Sequence, residues 1–423
     1  MSGGSLWWRR PVLGWALYDW ANSAFALSIM TSFVPVLLGG YWNDGAPAAV
    51  TTFRLGLANG LASLLVAVAA PLIGALADRA GRRKRGLLIF TTLAILATGN
   101  LFLVAAGQWP LALALYVIAA FGFAQGNSLY DSLLVDVTTP DCYDRVSAYG
   151  FALGYLGGAL LFAVNVWMVA QPARFGLDGE VQALRLSFLM VAAWWALFSL
   201  PLVAWVHERR APGASLPAGA AIRMALRELL RTVGAVREQR ALWLFLLAYW
   251  LYIDGVYTII KMAVDYGLSQ GLNMQDLIRA ILLTNFVGFP AALAFGFIGD
   301  WIGAQRGIYV ALIAYVAVTA AAGFVSSEAG FYALALAIGL VQGGVQSLSR
   351  SLFASLIPAG KTGEFFGFYN MLGKFAAIMG PVLTGTVALL TGSQRYGILS
   401  ILLLLIAGLA LLTRVRVPVR AVA

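Results

Sequence analysis

The chain has very little cysteine and histidine. Its 423 residues include one cysteine, Cys142, and one histidine, His207. A single cysteine excludes a disulfide framework and a cysteine-rich metal site. Because His207 lies at the start of a basic loop, proton chemistry inside an apolar interior would depend on carboxylates. We therefore predict no metal site and no cofactor.

Charge is scarce as well. Charged residues make up 11% of the chain and hydrophobic residues 61%, whereas soluble domains carry about 25% charged residues. Many apolar runs reach the roughly 20 residues that a helix needs to cross the hydrocarbon core. The alternating strands of a membrane barrel do not occur in the sequence. These features predict an all-α integral membrane protein with twelve transmembrane helices.

The net charge of +10 on its own suggests a nucleic-acid partner, but the placement of the basic residues argues otherwise. Lysine and arginine concentrate in the N-terminus, the even-numbered loops and the C-terminus, which is the pattern of cytoplasmic segments. We therefore predict no nucleic-acid partner and both termini in the cytoplasm. Short loops and a strong excess of arginine over lysine favour a bacterial plasma (inner) membrane.

One long polar interruption, 207–240, divides the chain into two predicted six-helix bundles, 1–206 and 241–423. Its second part places Ile222, Leu226, Leu229 and Val233 at helical spacing, with arginines elsewhere around the helix. This pattern predicts a basic amphipathic helix that contacts lipid of the cytoplasmic leaflet. A calmodulin-like or nucleic-acid target helix is the alternative.

Two segments in the halves share a pattern. "GALADRAGRRKRG", 74–86, and "GFIGDWIGAQRG", 296–307, both contain Gly, three residues, Asp, two residues and Gly. Glycine lets helix ends approach closely, and a carboxylate there can pair with a basic group or a facing helix N-terminus. We predict a gating loop, against the alternative of an ordinary basic loop. Its residues are Gly74, Asp78, Arg79, Gly81, Arg82, Arg83, Gly296, Asp300 and Gly303.

The segment 74–86 resembles the signature loop of the major facilitator superfamily, with a degenerate copy at 296–307. Three further stretches resemble its vacuole-effluxer-like branch, whose namesake exports amino acids from the yeast vacuole: "WALYDWANSAF", 15–25, "QSLSRSLFASLIP", 346–358, and "GEFFGFYNMLGKFAAIMGP", 363–381. The resemblance implies a major facilitator fold of two pseudo-symmetric six-helix bundles. It also implies efflux of an amino acid or related solute, and a central cavity lined by the first, fourth, seventh and tenth helices.

Five charged residues fall inside predicted spans: Asp19, Asp131, Asp254, Arg350 and Lys374. An aspartate at the centre of a membrane helix costs about 2.5 to 3.5 kcal/mol on insertion scales, so such residues usually face a cavity. Asp131 in "SLYDSLL" and Arg350 in "SLSRSLF" occupy matching positions of the repeat, so we expect them to face each other between the halves. The pair would either close the site or separate to bind a zwitterion, with the guanidinium binding its carboxylate and the aspartate its ammonium. A permanent ion pair that only fixes packing is the alternative.

Asp19 and Asn22 are three residues apart and share one helix face. Asp254, close to Tyr252, is their counterpart in the seventh span. An apolar, aromatic setting disfavours the charged form of a carboxylate, which makes Asp19 or Asp254 a candidate proton carrier. For Asp19 the alternatives are a structural cap or a partner of Lys374. Two further polar residues could line the pathway or act as interhelical glue, Asn127 and Gln346.

The sequence contains no H-E-x-x-H, paired C-x-x-C or G-x-S-x-G motif, so we predict that the chain is not an enzyme. Our interpretation is a monomeric secondary active transporter of a small solute, an amino acid, with proton coupling as a further hypothesis. Two alternatives remain open. One is a sugar or drug transporter of the same superfamily, and the other is a non-transporting membrane sensor.

Overall fold

The computed structural model describes residues 4–43, 45–209, 234, 239–269, 271–325, 327–358 and 360–416. Over these ranges the chain forms α-helices with a few short 3₁₀ and π segments, and no β-strand. The apolar positions of the predicted amphipathic helix, 222 to 236, lie outside the described residues.

Twelve helices of the described chain are long and apolar enough to cross a membrane, which confirms the predicted fold class. A helix satisfies its backbone hydrogen bonds internally, as the bilayer core requires. The twelve are α1 (Arg10–Trp42), α2 (Ala48–Ala80), α3 (Arg83–Leu103), α4 (Trp109–Val137), α5 (Pro140–Ala170), α6 (Glu180–Trp205), α7 (Arg240–Val264), α8 (Met274–Ile302), α9 (Ala304–Ala322), α10 (Glu328–Leu356), α11 (Thr362–Thr391) and α12 (Gln394–Leu412).

Helix packing repeats with a shift of six helices. In the first half α1 packs on α5 and α6, α2 on α4, and α3 on α4 and α6; in the second half α7 packs on α11 and α12, α8 on α10, and α9 on α10 and α12. The halves meet through α2 on α11 and α5 on α8. This is the arrangement of two pseudo-symmetric six-helix bundles. Because the number of spans is even, α1 begins and α12 ends on the same side of the bundle, which we call the terminal side.

Local sequence fixes several helix ends. The α2 helix ends at Gly81, whose φ of 56° is left-handed and whose N–H donates to the carbonyls of Ala77 and Asp78. Glycine adopts this conformation without the steric cost that other residues pay. At the other side of the bundle α8 begins at Asn273, whose side chain accepts the N–H of Asp276. Such a cap satisfies one of the free N–H groups of the first turn.

The α1 helix is not uniformly α-helical. It changes to π-helix at Phe25–Phe33 and again at Leu38–Trp42. A π-helical stretch turns the following side chains relative to an α-helix, and such segments often lie at functional sites. Ala26, Met30 and Thr31 of the first π-helical segment line the cavity described below.

Candidate functional site

A cavity of approximately 940 Å³ lies between the two halves. Its lining reaches the first two turns of α8, α10 and α12 at Leu277, Phe331 and Ile398, on the side opposite the termini. Toward the terminal side the lining ends near Asp131 and Arg350. The cavity thus extends from the middle of the bundle away from the terminal side.

The cavity wall carries two carboxylates and three basic groups. Asp19 on α1 and Asp131 on α4 belong to the first half, whereas Lys261 on α7, Arg350 on α10 and Lys374 on α11 belong to the second. Negative and positive groups therefore sit on opposite halves.

Arg350 extends from the second half into a set of acceptors on the first. Its Nη1 donates to Asp131 Oδ1 at 3.0 Å and to Asp19 Oδ2 at 3.4 Å. On α5, Ser147 Oγ accepts from Nε at 2.9 Å and the Ser147 carbonyl accepts from Nη2 at 2.8 Å. The expected contact of Asp131 with Arg350 is present, and Asp19 joins it.

Aromatic rings enclose the same guanidinium. Its central carbon lies 4.7 Å from the ring centre of Trp15, 4.3 Å from that of Phe151 and 5.5 Å from that of Tyr130. Arg350 is only 2% exposed. Cation–π contacts stabilise the guanidinium in addition to the two ion pairs. In this conformation Arg350 therefore connects α10 to α1, α4 and α5.

Other predicted polar residues extend the network along the wall. Tyr130 donates to Asp19 Oδ2 at 3.0 Å, and Asn22 donates to Asn127 at 2.8 Å. In the second half Gln346 accepts from Tyr155 of the first half at 3.0 Å. The structure thus gathers Asp19, Asn22 and Gln346 at one cavity.

Asn370 links α11 to the same centre, because its Nδ2 donates to Asp131 Oδ2 at 3.1 Å. Lys374 follows four residues later on α11 and also lines the cavity. Asp19 forms its ion pair with Arg350. The alternative that Asp19 pairs with Lys374 is therefore wrong for this conformation.

Two predicted site residues lie elsewhere. Asp254 is not part of the cavity lining; its carboxylate accepts the N–H of Gly380 at 2.9 Å and the hydroxyl of Thr258 at 3.4 Å. Tyr252 is fully buried and its hydroxyl lies 2.7 Å from Ser349 Oγ. The expectation that both face the pathway is corrected: Asp254 joins α7 to α11, and Tyr252 joins α7 to α10.

The terminal side is closed where α2 meets the start of α11. A Cβ added at Gly74 would overlap the carbonyl oxygen of Gly363, and one at Gly367 would lie 2.5 Å from the carbonyl oxygen of Ala70. The Asp78 carboxylate accepts the N–H groups of Gly363 and Glu364 at 2.9 and 2.8 Å. A carboxylate at a helix N-terminus is stabilised by the free N–H groups and the helix dipole.

Arg83, two residues after Gly81, is buried beside this contact. It pairs with Asp136 at 2.6 Å and Glu208 at 3.1 Å, and it also donates to the hydroxyl of Thr362 at the start of α11. Asp136, Glu208 and Thr362 were not predicted as part of the loop. Arg82 is exposed, and Arg79 is partly exposed.

The second copy of the motif closes the same side between α8 and α5. A Cβ at Gly296 would lie 2.7 Å from Cβ of Ala148. Asp300 pairs with Arg145 at the start of α5. Gly303 ends α8 with a φ of 89°, a value that favours glycine. Both copies thus join one half to the other.

Solved structures of major facilitator superfamily transporters share this architecture. The human organic anion transporter MFSD10 superposes with a TM-score of 0.75 at 19% identity, covering 96% of this chain and 99% of that one. The transporter FucP in its outward conformation superposes with a TM-score of 0.72 at 14% identity, over 98% and 100% of the two chains. At such identities the likeness shows the fold.

Sequence comparison places the chain more narrowly. Residues 138–421 match the family model described as vacuole effluxer Atg22 like, and residues 2–162 match the Major Facilitator Superfamily model. An uncharacterized MFS-type transporter of Bacillus subtilis, YxiO, is 35% identical over 94% of this chain and 93% of its own length. The chain belongs to the vacuole effluxer Atg22 like family of major facilitator transporters, and it is not an enzyme.

Fungal members are more distant and longer. Autophagy-related protein 22 of Yarrowia lipolytica is 27% identical over 63% of this chain and 49% of its own length. The chain therefore spans about half the length of this fungal relative.

Proposed function

We propose that this chain is a secondary active transporter that exports a small solute, an amino acid, across a bacterial plasma membrane by alternating access. The observation that carries the proposal is the cavity between the halves, with carboxylates on one wall and basic groups on the other. A zwitterion carries both charges that such walls attract. The family name, vacuole effluxer, supports export as the direction of transport.

Alternating access needs a site that opens to one side at a time. The cavity extends away from the terminal side, while the glycine contacts of α2 with α11 and α8 with α5 close that side. If the termini are cytoplasmic, as the basic loops indicate, this conformation faces outward. Release of Arg350 from Asp131 and separation of the glycine contacts would then open the cytoplasmic side.

The direct test is flux into and out of proteoliposomes that contain the purified protein. We expect counterflow of labelled amino acids and none of sugars or organic cations. Flux of a sugar or cation alone would retain a transporter but reject the amino acid. Absence of flux for every solute, together with full stability of an Arg350→Gln variant, would favour the non-transporting sensor.

We propose Asp19 as the proton carrier. It lines the cavity and contacts Arg350, whereas Asp131 also accepts the hydrogen bond of Asn370 that joins α4 to α11. We expect Asp19→Asn to retain solute exchange and to lose accumulation driven by a pH gradient, because the variant has no carboxylate to carry the proton. Asp254→Asn is the matched control, since that side chain joins two helices away from the cavity. An unchanged pH response in Asp19→Asn would reject Asp19 as the carrier.

A further inference from the structure

Lys374 differs from the other charged residues of the cavity in having no acidic partner among the residues that the structure describes. Both cavity carboxylates contact Arg350. The charge that acts on Lys374 is that of Lys261, another base, whereas Lys261 has Asp254 as an acidic neighbour. Within the described part of the chain no carboxylate pairs with Lys374.

A charged residue inside a membrane protein usually pairs with an opposite charge or lines a pathway for one. The wall of this cavity has one more basic group than acidic groups. A carboxylate group beside Lys374 would compensate its charge locally, and Lys374 is the base of this wall with no acidic partner among the described residues.

The position of Lys374 also suits a solute site. It lies four residues beyond Asn370, which contacts Asp131, so it stands one helical turn, about 6 Å, farther from the closed terminal side. A solute that entered from the open side would contact Lys374 before it reached Arg350 and its two aspartate partners. Arg350 itself already donates to Asp19, Asp131 and Ser147, so it has little capacity left for a carboxylate in this conformation.

We propose that Lys374 is the anion subsite of the cavity and that it binds the carboxylate of the transported solute, while the solute's ammonium faces the acidic wall of the opposite half. This inference rests on the proposed function and specifies its substrate class as solutes with a free carboxylate. A solute held this way would bridge the two halves. It would also supply the charge that Lys374 lacks.

The experiment measures thermal stability of the purified protein in detergent with a panel of amino acids and with the amides of the same amino acids. A ligand that binds only the folded state raises the melting temperature by mass action. We expect the amino acids that stabilise the protein to lose that effect as amides. Lys374→Gln should raise their Kd by roughly 10- to 100-fold, the range for loss of a charged hydrogen-bond partner.

Two variants separate the subsite from general damage. Lys374→Arg keeps the charge and should restore part of the stabilisation. Arg174→Gln removes an exposed basic residue outside the cavity lining, and it should behave as the unmodified protein. A melting temperature without ligand shows whether Lys374→Gln is folded.

Three outcomes would overturn the inference. The first is equal stabilisation of Lys374→Gln and the unmodified protein by an amino acid, which would leave the proposed export of amino acids intact. The second is stabilisation by amides as strong as by amino acids. The third is stabilisation by no amino acid at all; amino-acid flux in proteoliposomes then decides separately whether the proposed function fails with it.

Discussion

Arg350→Ala is expected to abolish transport and to lower the free energy of unfolding. The change leaves Asp131 and Asp19 without the guanidinium that each contacts. Removing one partner of a buried ion pair typically costs about 3 to 5 kcal/mol, because the other charge stays buried. The measurements are proteoliposome flux and thermal unfolding in detergent. Asp131→Asn should also stop transport, since it removes the α4 acceptor of the same pair.

A surface pair provides the matched control. Arg279 pairs with Asp276 on its own helix at 3.3 Å, and its side chain is 67% exposed. Exposed ion pairs contribute about 0 to 1 kcal/mol, so Arg279→Ala should keep both flux and stability. Full transport in Arg350→Ala or in Asp131→Asn would reject the assignment.

Double variants distinguish a gate from a permanent structural pair. Asp131→Asn with Arg350→Gln removes both charges and leaves polar groups of similar size. A purely structural pair predicts that this double variant regains stability and transport together. A pair that opens and closes predicts that stability returns and transport does not. The charge swap, Asp131→Arg with Arg350→Asp, should restore part of the transport. The recovery should be incomplete because Ser147 and Asp19 are positioned to bind a guanidinium on α10.

The sequence predicts the central pair because a repeat fixes relative positions. Asp131 and Arg350 occupy the same position in two copies of one motif, and pseudo-symmetric copies meet at the axis between the halves. Their contact at 3.0 Å follows from that relation. The close approach at Gly74 is predictable for a similar reason, since glycine at a repeated helix end indicates a neighbour with no room for a side chain.

Asp254 shows what such patterns leave out. Sequence spacing shows that a carboxylate lies in a span but not which neighbour the helix turns it toward. The partner of Asp254 is the N–H of Gly380, the residue before Pro381 in α11. Proline disturbs the local helical hydrogen bonding, and nothing in the α7 sequence indicates that a helix weakened in this way lies opposite Asp254.

The Arg83 cluster shows a second limit. Besides Asp78 of the same loop, Arg83 contacts Asp136, Glu208 and Thr362, which are 53, 125 and 279 residues away in the chain. None of these three distant partners belongs to a repeated motif. In sequence Arg83 is one of several adjacent basic residues, and the basic-loop pattern does not separate a buried arginine from exposed neighbours such as Arg82. The π-helical part of α1 likewise has no signal in the sequence.

Gly74→Leu is expected to prevent closure of the terminal side. Any Cβ at this position overlaps the carbonyl of Gly363, so α2 and α11 must separate. Overpacking of a close contact costs about 1 to 3 kcal/mol. A cost of this size changes the equilibrium between the conformations closed and open on the terminal side by roughly 5- to 150-fold. The change should favour the conformation that is open on the terminal side and slow transport to the same degree, because the return step becomes unfavourable.

Accessibility of a single introduced cysteine measures this shift. In a Cys142→Ser background, Leu55→Cys places a thiol on the cavity wall near the opening opposite the termini. We expect Gly74→Leu to slow its reaction with a membrane-impermeant thiol reagent applied to that side. Gly60→Leu is the control on the same helix, since no atom lies within 4 Å of an added Cβ there. Equal labelling in the two variants would mean that the glycine contact does not control access to the cavity, and that another contact, such as Arg83 with Asp136, keeps the terminal side closed.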